Sequence, residues 1–134
     1  MEFSFLKNEK KEVVDLINKA FNKNSTVEFL NLLPTQRFLL LKDNNNVIGA
    51  TLITEKYDPI RGIKSFYLDY VCVSEEYRGQ GLGEKMLNEV ERIAKEENVN
   101  KIQLTSNKKR IVARNLYHKW GMEIVDTDLF SKDL

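Results

Sequence analysis

A glycine-rich turn between an apolar segment and an amphipathic helix constrains this chain more than any other feature. Three glycines alternate along the turn, at Gly79, Gly81 and Gly83. Arg78 stands directly before the first of them, and the preceding residues Val71–Val73 are apolar. The residues after the turn repeat apolar side chains at helical spacing. This order predicts a strand that runs through a tight turn into a helix, as in a β-α unit of a mixed sheet.

The turn departs from two widespread phosphate-binding motifs. The dinucleotide fingerprint G-x-G-x-x-G needs its third glycine one residue later. The P-loop needs Lys and then Ser or Thr directly after its last glycine, but Glu84 and Lys85 follow Gly83. A helix N-terminus nevertheless presents about four unpaired N–H groups and roughly half a positive charge. Glycines let a phosphate approach these groups, and Arg78 adds a cation. The turn therefore favours a diphosphate ligand, and the alternative is a purely structural turn.

Two motifs carry a family resemblance. The sequence RGQGLG at Arg78–Gly83 resembles the acetyl-CoA motif of the GNAT superfamily of N-acetyltransferases, Arg/Gln-x-x-Gly-x-Gly/Ala. About 30 residues downstream, ARNLYHKWGM at Ala113–Met122 is similar to the family's A-x-x-x-Y-x-x-x-G-F helix and turn. The chain departs from the family at two positions. Arg110 stands where many members have Asn, and Met122 replaces the usual Phe.

The resemblance implies a GNAT-like α/β fold, with a central mixed sheet of about six to seven strands and about four helices. Hydrophobic periodicity predicts a matching order of elements, β-α-α-β-β-β-α-β-α-β, with one further strand possible. The last two strands are predicted at Met122–Val125 and Asp128–Lys132. No linker divides the sequence, so we expect one domain over residues 1–134.

The resemblance also implies acetyl-CoA as the cofactor. Its pyrophosphate would bind the backbone amides of the glycine turn, and its pantetheine arm would pair with the end of the preceding strand like an added strand. Basic residues before the last helix either form a solvated face or attract the adenosine 3′-phosphate. The expected cofactor-binding residues are Val71, Cys72, Val73, Arg78, Gly79, Gln80, Gly81, Leu82, Gly83, Asn107, Arg110 and Arg114.

Tyr117 is the candidate general acid. It shares a helical face with Ala113 and Trp120, so by itself it would read as a core aromatic. In the family pattern the tyrosine at this position protonates the departing thiolate of CoA. A phenol with a pKa near 10 and a thiol with a pKa near 8.5 are close enough for such a transfer.

Asp69 is the candidate general base, because relatives with a similar Leu-acid-acid-x-x-Val segment place a proposed base there. The alternative is that Asp69 only orients the substrate ammonium by its charge. Regular strand alternation would put it on the same face as Val71 and Val73.

The resemblance implies that the acceptor is a primary amine of a small molecule or peptide. Asp69 is the expected pocket acid and favours a cationic, polyamine-like or lysine-like amine. Two further acids, Glu55 and Asp58, lie in the segment leading to the same strand, but Arg61 and Lys64 can neutralise them.

Composition excludes several classes of protein. The chain has 21 basic and 20 acidic residues, without the basic excess of a nucleic-acid binder. No segment approaches the roughly 20 apolar residues of a membrane span, and no secretory signal stands at the N-terminus. Cys72 and His118 are the sole cysteine and histidine, so we expect no disulfide or metal, a buried thiol and a solvated imidazole. A cytoplasmic protein follows, and family members are often homodimers.

The sequence thus predicts an acetyl-CoA-dependent N-acetyltransferase that works by direct attack of the amine in a ternary complex. Backbone N–H groups near Val71 and Val73 are the expected carbonyl-polarising donors. Two alternatives stay open at this point. One is a non-catalytic CoA-binding or sensory module of the same fold, and the other is a small interaction protein with structural glycines.

Overall fold

A single five-stranded sheet organises the computed structural model, which describes all residues 1–134. The strands lie across the sheet in chain order, and all neighbours are antiparallel except the last pair, which is parallel. They are β1 (Glu2–Phe5), β2 (Gln36–Asp43), β3 (Asn46–Asp58), β4 (Ile63–Val73) and β5 (Lys101–Leu104).

Three α-helices cover the two faces of the sheet. They are α1 (Lys10–Phe21), α2 (Leu82–Glu96) and α3 (Ile111–Lys119), with single 3₁₀ turns at Val27–Phe29 and Glu75–Tyr77. On one face, α1 packs against alternate residues of β2, including Phe38 and Leu40. On the other face, α2 and α3 form the largest buried cluster with the intervening residue Leu39 and with residues of β3 and β4. The near-continuous apolar run of β2 therefore reflects burial on both faces.

The order of elements from β1 to α3 follows the prediction, except that the second predicted helix is only the 3₁₀ turn at Val27–Phe29. The apolar stripe of α2 is buried as its spacing requires, from Leu82 through Met86 and Val90 to Ile93. Asn98 after α2 and Gly121 after α3 have φ values of 60° and 101°, the left-handed conformation that commonly follows a helix C-terminus. No helix combines the length and apolar composition that crossing a membrane requires.

A β-bulge interrupts β4 at Tyr70. Asp69 lies opposite Leu52 of β3, whereas Cys72 lies opposite Ala50, so β4 has one extra residue in this stretch. Tyr70 takes up the irregularity with a φ of 54°. The bulge reverses which side chains face which helix layer along the rest of the strand. The prediction that Asp69 shares a face with the valines after Tyr70 is therefore wrong.

The packing on either side of the bulge shows the reversal. Asp69 shares the α1 face with its cross-strand partner Leu52, and Cys72 joins the same α1 cluster. Val71 and Val73 instead pack with the clusters on the side of α2. β4 thus presents its acid and its two valines to opposite layers.

The strands β4 and β5 separate beyond a short paired stretch. Pairing runs from Ser65 opposite Lys101 to Leu68 opposite Leu104, and no residue of β4 after Leu68 has a partner on that side. Where the strands part, the hydroxyl groups of Tyr67 and Thr105 lie 3.1 Å apart in a hydrogen bond. The second half of β4 therefore has one free edge.

The end of the chain differs from the prediction. Neither Met122–Val125 nor Asp128–Lys132 forms a strand, so the sheet has five strands and not six or seven, and there are three α-helices and not four. The apolar residues of this segment occur as neighbouring pairs, Ile124 with Val125 and Leu129 with Phe130, so no alternating face exists to bury. Acidic residues between the pairs also disfavour a strand.

Candidate active site

A cleft of about 660 Å³ opens where the free edge of β4 meets the start of α2 and the length of α3. Most of the predicted cofactor residues line it, together with Tyr117, whereas Gln80, Asn107, Arg114 and Asp69 do not. The predicted residues that the cleft brings together are Val71, Cys72, Val73, Arg78, Gly79, Gly81, Leu82, Gly83, Arg110 and Tyr117.

The glycine turn forms one end of this cleft. Gly79 and Gly81 have φ values of 79° and 74°, which side chains other than glycine rarely adopt. A Cβ at either position would meet nothing within 4 Å, so the backbone there faces open space. The six N–H groups from Gly79 to Glu84 donate to no protein group, and the next N–H, of Lys85, donates to the Gly81 carbonyl. Six free donors at a helix N-terminus fit the pyrophosphate that acetyl-CoA carries.

Gly83 serves a different purpose from the other two glycines. It lies inside the first turn of α2, and a Cβ there would stand 3.0 Å from Cδ2 of Leu116. Its missing side chain lets α2 and α3 approach each other along the wall of the cleft. Further along the same contact, Nε1 of Trp120 donates to Oδ1 of Asn88 at 2.9 Å.

The free edge of β4 forms the floor of the cleft. Ser74 donates its N–H to the carbonyl of Ile48 in β3 at 2.6 Å. Because successive residues of a strand point their backbone groups to opposite sides, those of Val73 and Val71 point away from β3. The Val73 carbonyl accepts a hydrogen bond from Nε of Arg78 at 3.2 Å. An extended amide chain such as pantetheine could pair along this edge.

Tyr117 lines the cleft from α3. Its ring is only 8% exposed and belongs to the main core cluster, yet the residue also lines the cleft. Its hydroxyl group has no hydrogen-bond partner in the protein. Burial raises the pKa of this phenol, and the nearby charge of Arg110 partly opposes the rise. Tyr117 therefore carries its proton at neutral pH, as a general acid must.

Cys72 lines the same cleft without the properties of a nucleophile. Its thiol is buried in the α1 cluster, and burial raises its pKa to about 11. Because the thiolate is the reactive form, such a cysteine is inert near neutral pH. His118, the residue after Tyr117 in α3, is exposed. Both side chains lie where the sequence predicts them.

Asp69 lies outside the cleft, on the α1 face of the sheet. Its carboxylate has no hydrogen-bond or ion-pair partner, and partial burial raises its pKa. The other two acids near the segment are neutralised by cations, as expected. Glu55 pairs with Lys64 at 3.3 Å, and Asp58 pairs with Arg61 at 2.8 Å.

The basic segment at the start of α3 makes hydrogen bonds within itself. Oδ1 of Asn107 accepts the N–H of Lys109 at 2.9 Å, and Arg114 reaches the carbonyl of Lys108 at 3.4 Å. Lys109 and Arg110 line the cleft. Contact of this segment with the 3′-phosphate stays a prediction.

One contact at the site has no counterpart in the sequence analysis. The guanidinium carbon of Arg110 lies 4.7 Å from the ring centroid of Phe21, the last residue of α1. The Phe21 ring in turn packs edge-on against Tyr70, with 5.5 Å between centroids. The sequence marks Arg110 by its departure from the family's Asn and as an expected cofactor-binding residue, not as a partner of Phe21. No short-range pattern links it to a side chain 89 positions earlier.

The sequence from residue 7 to residue 122 matches the model of the Acetyltransferase (GNAT) family. The chain belongs to the GNAT acetyltransferase family. The match spans most of this GNAT chain and includes both sequence motifs. No curated protein matches the sequence.

Solved structures share the GNAT fold with this chain at low sequence identity. A ribosomal-protein-alanine N-acetyltransferase from Brucella melitensis biovar Abortus 2308 is 16% identical, with a TM-score of 0.86 and full coverage of both chains. An aminoglycoside acetyltransferase from an uncultured soil metagenomic sample is 14% identical, with a TM-score of 0.83 over 99% of this chain and 95% of the other. AAC(6′)-Iy, bound to a bisubstrate analogue containing CoA, is 11% identical, with a TM-score of 0.79 over 100% and 99%.

Proposed function

We propose that this protein is an acetyl-CoA-dependent N-acetyltransferase that acts on a primary amine of a small molecule or peptide. Bound acetyl-CoA supplies the acetyl group as a thioester, which the amine attacks directly in a ternary complex. The observation that carries the proposal is the cleft itself. Six free N–H groups around Gly79 and Gly81 and the side chain of Tyr117 border the same cleft. The free edge of β4 forms its floor.

Separate residues of the chain would bind the cofactor, polarise the acetyl carbonyl and donate the proton. The amides from Gly79 to Glu84, with Arg78 beside them, hold the pyrophosphate. The backbone N–H groups of Val71 and Val73 point into the opening and would polarise the acetyl carbonyl. Tyr117, neutral because burial raises its pKa, gives its proton to the departing sulfur.

Asp69 has two candidate roles, which the geometry does not separate. As a base it would take the amine proton, and partial burial favours this role because it raises the pKa of the carboxyl above 3.8. Its position outside the cleft means that the proton would pass through water. As an orienting charge, it would attract the substrate ammonium instead.

An amine panel assayed for free thiol tests the proposal. The panel holds polyamines, aminoglycosides, amino acids and peptide N-termini, each incubated with acetyl-CoA and protein. Thiol release that depends on both the amine and the protein supports the transferase. The relatives' acceptors are aminoglycosides in one case and, by name, a ribosomal-protein alanine in another, so both classes belong in the panel.

The second candidate is a CoA-binding module without turnover, and its distinguishing outcome is acetyl-CoA binding with no thiol release from any amine. The intact Tyr117 favours the enzyme. We also propose a cytoplasmic location, in keeping with the free buried thiol of Cys72. Homodimer formation is a further proposal, which light scattering tests directly.

A further inference from the structure

Arg110 lies near Tyr117, whereas Arg78 lies beside the glycine turn. Arg78 contacts the carbonyl of Val73. Arg110 lies over Phe21, which packs on Tyr70, three residues earlier in β4. The charge of Arg110 is close enough to Tyr117 to oppose the rise in the pKa of that phenol. In the proposed function the acceptor amine attacks beside Tyr117, so Arg110 lies near the proposed reaction centre.

The guanidinium of Arg110 contacts Phe21 and has no other partner. The contact with Phe21 is a cation–π contact, with the guanidinium carbon 4.7 Å from the ring centroid. The guanidinium N–H groups make no hydrogen bond and no ion pair with the protein. A planar guanidinium without a polar partner can offer paired N–H donors, whose spacing matches the two oxygens of a carboxylate.

No acidic side chain in the cleft is free to satisfy Arg110. The acid that lines the cleft is Glu84, and it pairs with Lys119 at 3.5 Å. The remaining charged residues of the lining are the cations Arg78 and Lys109. Among the residues that line the cleft, Arg110 therefore has no acidic partner.

We infer that Arg110 binds a carboxylate on the acceptor, so that the preferred acceptors are amines that carry a carboxylate group, such as amino acids. The inference rests on the proposed function, because it names the acceptor class of the same site. It differs from the expectation of a cationic amine, which depended on Asp69 facing the pocket. Phe21 orients the guanidinium, and the acceptor carboxylate takes the place of the absent acidic partner.

Matched pairs of acceptors test this inference. Each pair consists of an amino acid and its decarboxylated analogue, such as lysine with cadaverine and phenylalanine with 2-phenylethylamine. Two readouts are taken for each compound, kcat/KM from thiol release and Kd from calorimetry on the CoA-bound protein. Charge-assisted hydrogen bonds of this kind predict a preference of about tenfold or more for the carboxylate member.

Three variants locate the source of the preference. In Arg110→Gln the preference falls to about threefold or less, while the Kd for acetyl-CoA stays within about twofold of the wild-type value. Arg110→Lys keeps the positive charge but lacks the paired N–H donors of a guanidinium, so we expect it to retain part of the preference. Lys109→Gln removes the neighbouring charge from the cleft and retains the full preference.

The outcomes separate this inference from the proposed function. It is overturned if neither readout shows a carboxylate preference, or if the preference survives in Arg110→Gln. It is also overturned if that variant loses acetyl-CoA affinity and keeps the preference, which would assign Arg110 to the cofactor. A wild-type protein that does not bind acetyl-CoA contradicts the proposed function itself.

Discussion

A Cβ at Gly83 would lie 3.0 Å from Cδ2 of Leu116, across the contact between α2 and α3. Gly83→Ala therefore forces the Leu116 side chain to move. Alanine gains about 1 kcal/mol of helix propensity over glycine, which offsets the crowding. We expect the free energy of unfolding to stay within about 1 kcal/mol of the wild type. Acetyl-CoA affinity falls, because Leu116 lines the cleft.

The control for this variant is Gly81→Ala, where the added Cβ meets open space but φ is 74°. The left-handed conformation costs about 1–2 kcal/mol for alanine, so this variant loses stability by a different route. Chemical denaturation and calorimetry with acetyl-CoA measure both quantities. Equal stability losses in the two variants would contradict the distinction between the glycines.

Gly81→Glu places a carboxylate among the free N–H groups of the turn. We expect the variant to fold and to lose acetyl-CoA binding, because the new charge occupies the pyrophosphate position and repels the cofactor. Gly81→Gln is the matched control, since it adds the same bulk and the same strained φ without the charge. Calorimetry should show binding at least about tenfold weaker for Glu than for Gln. Unchanged affinity in the folded Glu variant would remove the cofactor from this turn.

Tyr117→Phe keeps the ring in the core and removes the proton donor. We expect kcat to fall by about 10²–10⁴-fold, the usual contribution of general acid catalysis, with the Kd for acetyl-CoA nearly unchanged. Tyr57→Phe, at an exposed tyrosine far along the β3–β4 hairpin, should behave as the wild type. Since burial raises the pKa of Tyr117, loss of its proton should lower the wild-type rate only above pH 10. A fully active Tyr117→Phe would leave the ring with a packing role alone.

Asp69→Asn tests the proposed base. The wild-type kcat/KM should fall as the pH drops through the pKa of Asp69, which burial raises above 3.8. In the variant this limb disappears, the optimum moves to higher pH where the amine loses its own proton, and KM rises for a cationic acceptor. Asp58→Asn, whose carboxylate pairs with Arg61, serves as the control. A pH profile and KM that Asp69→Asn leaves unchanged would exclude Asp69 from the reaction.

Glu9 links the start of α1 to β2 and should contribute to acid stability. Its carboxylate pairs with Lys42 and also accepts the N–H groups of Lys7 and Asn8, which together lower its pKa from 4.5 to about 2. The stabilisation is therefore complete above pH 4.5 and is lost as the pH falls towards 2. We expect a contribution of about 1–3 kcal/mol, because the Glu9 side chain is only 12% exposed and the upper value corresponds to the full pKa difference. Denaturation across this pH range should show the loss in the wild type and in Glu12→Gln, but not in Glu9→Gln.

The sequence predicted the parts of the molecule that local pattern determines. Helical spacing identified the buried stripe of α2, and the glycine turn predicted a strand-to-helix junction with free amides. It did not predict the bulge, because Tyr70 is not a residue type that favours a positive φ. The faces of Asp69 and Val71 were misassigned for that reason alone.

Contacts between residues far apart in the sequence were the second feature that the sequence did not predict. The position of Arg110 over Phe21 depends on how α1 and α3 pack around β4, and neither residue type reveals its partner. For the segment after Gly121, the sequence predicted structure that does not form. Its apolar content predicted strands, but adjacent apolar pairs such as Leu129 and Phe130 give no single face to bury.

The bulge at Tyr70 puts one extra residue between Asp69 and the valines that follow it, so that they face opposite sides of the sheet. Substitutions at Tyr67 or Asp69 act on the layer beneath α1, whereas those at Val71 or Val73 act on the side of α2. In the proposed reaction, the candidate base and the proposed cofactor-binding edge can therefore be varied separately. Deleting Tyr70 would remove the extra residue and leave Asp69 and Val71 adjacent on an unbroken strand, where they would still face opposite layers.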